Sequence, residues 1–154
     1  MNTYRTACFS CLLALAALFA GCASASQHVP MPAQDVTLTS PELARIYVVR
    51  DDKAALHTND VVVYDGELVV GTLTGRTYLC WERVGGRTIG RADYDAVDPG
   101  KGRIAGVADL DCPAGHVYFF LVSVAREGGK PEFVAIDEAK GRALVADRSP
   151  ASTD

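Results

Sequence analysis

The sequence predicts an all-β chain: an antiparallel β-sandwich of about seven strands, followed by a short C-terminal helix. Three observations carry this. Apolar residues recur at every second position in "ARIYVVR" and crowd both halves of "DVVVYDGELVVGTL", the pattern of strands with at least one buried face. Within the latter, Asp65-Gly66 separates two Val-rich runs, a dipeptide favoured in two-residue type I′ hairpins. Glycine, proline and aspartate then punctuate the later apolar runs at short intervals, as in a sandwich and unlike an alternation of strands with long helices.

Ahead of the strands lies a different kind of segment. Residues 1–6 carry one positive side chain, Arg5, and residues 7–20 are apolar apart from Ser10. A membrane-spanning helix needs about 20 apolar residues, so this run is short for a permanent span and reads as an export signal over residues 1–21. Its end, Leu18-Phe19-Ala20-Gly21-Cys22, resembles the lipobox of bacterial lipoproteins, with Phe19 where Leu, Val or Ile is usual. The resemblance implies a diacylglycerol on the Cys22 thiol, cleavage before Cys22, and an acyl chain such as palmitate on the new amine. Each buried CH2 then contributes ~0.8 kcal/mol to membrane attachment. Ala23, where an Asp would imply inner-membrane retention, points by the same resemblance to the outer membrane, facing the periplasm.

The 154-residue chain has a net charge of −4; without residues 1–21, which hold only Arg5, 14 basic residues face 19 acidic ones for a net −5. No basic stripe of the kind nucleic-acid binding needs is present, so no nucleic-acid partner is expected. Residues 23–39, "ASASQHVPMPAQDVTLT", hold little to bury, and with Cys22 and Ser40 they read as a flexible tether. The domain is expected over 41–147, and residues 148–154 as a disordered tail.

Element by element, Ser40-Pro41-Glu42 carries a helix-start signature with nothing to propagate it, so one turn is expected. "ARIYVVR" places Ile46 and Val48 on one face and Tyr47 and Val49 on the other. The Asp65-Gly66 hairpin follows, then a strand "TYLCWE" ended by Gly85-Gly86. "RTIGRADYDAVDPGK" reads as an extended connection. "RIAGVADL" and "HVYFFLVSV" are strands parted by the turn at Cys112-Pro113-Ala114-Gly115, and "EFVAI" is the last strand. Asp137-Glu138 then caps a short helix that turns Leu144 and Val145 toward the sheet, although Gly141 costs it about 1 kcal/mol relative to Ala.

Several of these segments, in order, resemble a family of small bacterial lipoproteins built around a domain of unknown function. They are Ala44 to Arg50, Tyr64-Asp65-Gly66, Val70-Gly71-Thr72-Leu73 and Ala114 to Phe119. The family's Pro-Gly-x-His turn is replaced by Val84-Gly85-Gly86-Arg87. The resemblance implies a β-sandwich on a lipid anchor and supplies no catalytic residue.

Chemistry-bearing residues are sparse. Apart from Cys22, the chain after the signal holds Cys80 and Cys112, which an oxidising compartment favours as a disulfide. Closing that 33-residue loop would contribute ~3.5–4 kcal/mol on the chain-entropy account. The alternatives are two inert thiols, or a thiol or zinc centre of Cys112 and His116 with Cys80 or His57; the C-x3-H spacing fits no standard zinc framework. Asp93, Asp95 and Asp98 near Gly100 superficially resemble a calcium loop but lack its spacing and its closing Glu. Trp81, Tyr78 and Tyr118 are either core or, if a sheet face leaves them bare, a partner surface. The expectation is a lipid-anchored envelope lipoprotein, a non-catalytic binding or structural module without cofactor or metal; the alternatives are an envelope enzyme centred on Cys112, His116 and Cys80 and an accessory subunit of an envelope assembly. Its partners would be the membrane and an envelope protein.

Overall fold

A computed structural model of the chain describes residues 25–50, 60–95, 102–123 and 129–153. Strands dominate: β1 (Ser26–Gln27), β2 (Leu43–Arg50), β3 (Val61–Asp65), β4 (Leu68–Leu73), β5 (Thr77–Val84), β6 (Gly86–Asp95), β7 (Arg103–Cys112), β8 (Val117–Ser123) and β9 (Glu132–Ile136). The helix α1 (Glu138–Ala146) and two short strands, β10 (Ser149–Pro150) and β11 (Ser152–Thr153), complete the order. They form two sheets, β11-β1-β4-β3-β6-β7 and β10-β5-β2-β8-β9. The all-β sandwich with a short C-terminal helix is therefore observed.

Alternation explains the layers. Ile46 and Val48 of β2 face Val61 and Val63 of β3 and Val70 and Leu73 of β4 in the main core, while Tyr47 and Val49 join Tyr78, Cys80 and Phe119 in a second cluster. That second cluster lies on the outer face of the five-stranded sheet, where Leu144 and Val145 of α1 cover it. The Asp137 carboxylate caps α1 by accepting from the Lys140 N–H at 2.9 Å. Gly141 is the helix's buried residue, because a Cβ there would run into the Phe119 ring.

Four expectations need correction. The stretch read as a connection contains β6, which pairs with β3 and β7 in the interior of its sheet. Its inward positions are small where Leu110 and Phe133 crowd over Gly90, and its charged residues and Ile89 face out, so the usual hydrophobic alternation is hidden. Pairing is also not wholly antiparallel: β2 runs parallel to β8, as do β10 to β5 and β11 to β1. The hairpin forms where expected, but Tyr64 and Asp65 pair with Val69 and Leu68, leaving Gly66-Glu67 as the loop with positive φ at Gly66 (61°). That is the signature of a type II′ turn.

The fourth correction concerns both ends. From Ala25 onward the expected tether is bound to the sandwich, and the expected tail is structured. Ala25 and Ala151 are buried in the main core, β1 lies between β4 and β11, and β10 extends the other sheet beside β5. The C-terminal strand thus crosses from one sheet to the other at Ala151, whose N–H bonds the Tyr78 carbonyl at 2.9 Å. The Gln27 side chain continues that ladder: its Nε2 donates to the Cys80 carbonyl (2.7 Å) and its Oε1 accepts from the Cys80 N–H (3.0 Å). Together these contacts close the β4/β5 edge of the sandwich.

Candidate functional site

A groove of about 310 Å³ opens beside β4 and β5. Val29, Pro30, Pro32, Leu68 and Trp81 give it apolar walls, and Asp65, Glu82 and Arg83 supply charge. Leu68, just after the hairpin loop, is 52% exposed, whereas Trp81 is 2% exposed and presents only an edge. The Asp65 carboxylate accepts the Trp81 indole N–H at 3.0 Å and lies 3.4 Å from Nε of Arg83. Nη1 of Arg83 is buried and makes no hydrogen bond among the described residues. A buried donor without an acceptor costs about 1–3 kcal/mol.

Behind the groove, on the outer face of the five-stranded sheet, sits a polar network. Arg45 and Glu82 are directly opposed in the β2–β5 register and form an ion pair at 2.8 Å with side chains 2% and 9% exposed. Arg45 also donates to the Val36 carbonyl at 2.7 Å, and Glu82 accepts the Thr39 N–H at 3.0 Å, so residues 36–39 are strapped over this face. Gln34 bridges next to them: its Oε1 accepts from the Tyr47 hydroxyl (2.8 Å) and its Nε2 donates to the Cys80 sulfur (3.7 Å). Burial drives the Cys80 thiol up and the Tyr47 phenol up to about 12. For Glu82, burial acts upward but is outweighed by the Thr39 N–H and the Arg45 guanidinium, which hold the carboxyl below its ordinary value.

The expected disulfide is not made. Cys80 and Cys112 are both buried free thiols. Cys80 points into the outer cluster of one sheet and Cys112 into the core between the sheets, so the backbone of β5 separates them. Among the described residues the alternative centre of Cys112, His116 and Cys80 is not brought together either. Burial pushes the Cys112 thiol up to about 11, away from a reactive thiolate, while His116 lies exposed in the following turn. Among the described residues no three His, Cys, Asp or Glu side chains gather to hold a metal.

The aromatic surface is also corrected. Trp81 and Tyr78 are buried, one in each cluster, and Tyr118 is half-buried with its hydroxyl donating to the Pro113 carbonyl at 3.0 Å. Of the superficial calcium loop, Asp93 is buried against Arg91 at 3.0 Å; Asp98 and Gly100 lie outside the described residues, as do Cys22 and His57. The sequence reading missed Leu68, Arg83 and the Arg45–Glu82 pair. Arg45 was legible only as a strand end, since nothing local shows that Glu82 will stand across from it.

No family profile, curated protein or solved structure matches the chain.

Proposed function

We propose that this chain is a lipid-anchored, periplasm-facing envelope lipoprotein, most simply of the outer membrane. It acts as a non-catalytic binding module, and its groove takes an apolar segment of an envelope protein partner. The observation that carries the binding role is the groove itself: exposed Leu68 and the prolines of residues 29–32 frame the charged side chains of Asp65 and Arg83, whose Nη1 makes no hydrogen bond among the described residues. An extended peptide suits it, offering apolar side chains to the walls and a carbonyl or carboxylate oxygen to Arg83. The anchor is supported by the apolar run ending in Gly21-Cys22. Ala25 is already buried in the sandwich, so an acylated Cys22 three residues earlier would hold the domain within ~10 Å of the bilayer surface.

Two measurements test the two halves separately. In a lipoprotein-processing bacterial host, the wild-type chain should incorporate labelled palmitate, and Cys22→Ser should lose both the label and the mature size. Unchanged labelling and fractionation would remove the anchor. A photo-crosslinking residue at Leu68 should capture one discrete envelope protein in intact cells, and Arg83→Ala should reduce that capture several-fold. No adduct, or capture indifferent to Arg83, would remove the binding role.

A further inference from the structure

The strand order gives the sandwich two dissimilar ends, and Ala25 lies at one of them. β1 runs antiparallel to β4 with Ser26 opposite Thr72, so the chain enters β1 beside Leu73 and heads toward Leu68. Val61 of β3 and Arg103 of β7 stand at the same end, which the Thr74–Arg76 turn carries across to the start of β5. Arg50 closes it by donating to the Leu73 carbonyl at 3.5 Å. The Asp65-Gly66 hairpin and Val84 mark the opposite end. There the Gly85 N–H bonds the Glu42 carbonyl (3.1 Å) and the Gly115 N–H bonds the Leu43 carbonyl (2.8 Å).

An acylated Cys22 makes this polarity consequential. Three residues separate Cys22 from Ala25, and they span about 11 Å at most. Ala25 itself is held, buried in the core with its carbonyl accepting the Ser152 N–H at 3.0 Å, so the tether cannot lengthen without breaking into the sandwich. Leu73 to Leu68 is five strand steps, about 17 Å at ~3.3 Å each. The end holding Ala25 therefore lies against the lipid surface. Such a tether still leaves two poses, standing on that end or lying along the β1 side. Charge separates them. The exposed acids Glu42, Glu67, Asp111 and Asp137 all sit at the far end. At the near end exposed Arg76, Arg103 and Lys130 are balanced by Asp60, Glu132 and Asp147. Lying down would press Glu67 against anionic headgroups and strip water from its carboxylate. Standing leaves it about two Debye lengths away at physiological salt.

We propose that the chain stands end-on on its bilayer, with the Thr74–Arg76 turn toward the headgroups and the Asp65-Gly66 hairpin turned away. The arrangement rests on the acylated Cys22 proposed above, and it narrows the partner. Leu68, Asp65 and Arg83 place the groove in the far half of the sandwich, so its occupant comes from the aqueous side, as a segment that stands clear of the membrane.

The test uses the acylated full-length chain, purified from a lipoprotein-processing host. It is placed in vesicles of phosphatidylcholine with one quarter phosphatidylglycerol, with or without a nitroxide quencher on the headgroups. A fluorescent amino acid replaces either Gly75, where a Cβ meets nothing within 4 Å, or Val84, which is 68% exposed at the far end. The protein should float with the vesicles, and the nitroxide should quench position 75 several-fold more than position 84. Flotation with equal quenching at the two positions, or with stronger quenching at 84, would overturn the end-on arrangement and leave the anchor standing. A wild-type chain that fails to float would remove the anchor, and this arrangement with it.

Discussion

Gln27 shows how a single polar side chain can serve as a piece of backbone. It is 1% exposed, and its amide exchanges both hydrogen bonds with Cys80 just beyond the point where β10 ends. A leucine of similar size would fill the space but leave the Cys80 N–H and C=O without partners. Each orphaned buried group costs about 1–3 kcal/mol, so Gln27→Leu should destabilise by roughly 2–4 kcal/mol despite its greater hydrophobicity. Urea denaturation checks this, and an unchanged midpoint would show that the amide is dispensable. Nothing local in "SASQHVP" announces such a role, since glutamine between serine and histidine looks like tether. Gly141 was legible as a weak point of α1, but its reason was not, because Phe119 is 22 residues away in sequence.

At the scale of elements, legibility followed the visibility of alternation. β2, β3, β4 and β8 carry β-branched or aromatic residues, and each was placed within a residue or two. β6 was missed because, ahead of Tyr94, its core-facing side is threonine, glycine and alanine, small enough at Gly90 to admit Leu110 and Phe133 from neighbouring strands. Short strands are harder still: β1, β10 and β11 are two residues each and exist only through what they pair with. Their contribution is measurable. Ending the chain at Arg148 would remove Ala151 from the core and expose the Tyr78 carbonyl and one flank of β1. We expect a loss of about 2–3 kcal/mol, combining one buried alanine with several backbone hydrogen bonds. Hydrogen exchange should accelerate first at Gln27 and Cys80. A truncated chain as stable as the parent, with those amides still protected, would mean that the terminal strands only decorate the sandwich.

For the molecule as a whole, buried acids set the limits of stability against pH, and the two limits arise from opposite shifts. Burial raises the Cys112 thiol to about 11 and the Tyr47 phenol to about 12, and it raises Cys80, Tyr78, Tyr94 and Tyr118 as well. The folded chain therefore keeps these protons longer than the unfolded chain, whose thiols and phenols titrate near 8.5 and 10. Their stabilising effect is complete below those values and is lost as pH climbs through about 9 to 12. Glu82 works at the other end. Its carboxyl is held below the ordinary value by Thr39 and Arg45, so its contribution is present above about 4.5 and disappears as pH falls through the native value. A plateau from roughly pH 5 to 8.5 should result, with an alkaline decline built from several groups and an acid decline in which Glu82 has a named part. Urea midpoints measured across this range under reducing conditions would trace it. Tyr47→Phe should flatten the decline above pH 10 relative to wild type, whatever its effect at neutrality, because it removes the phenol with the largest stated shift. Glu82→Gln should flatten the acid limb in the same way while lowering the plateau, since it leaves the buried Arg45 guanidinium without its counter-charge. An alkaline limb of identical slope in Tyr47→Phe would mean that this phenol meets solvent as freely in the folded chain as in the unfolded one.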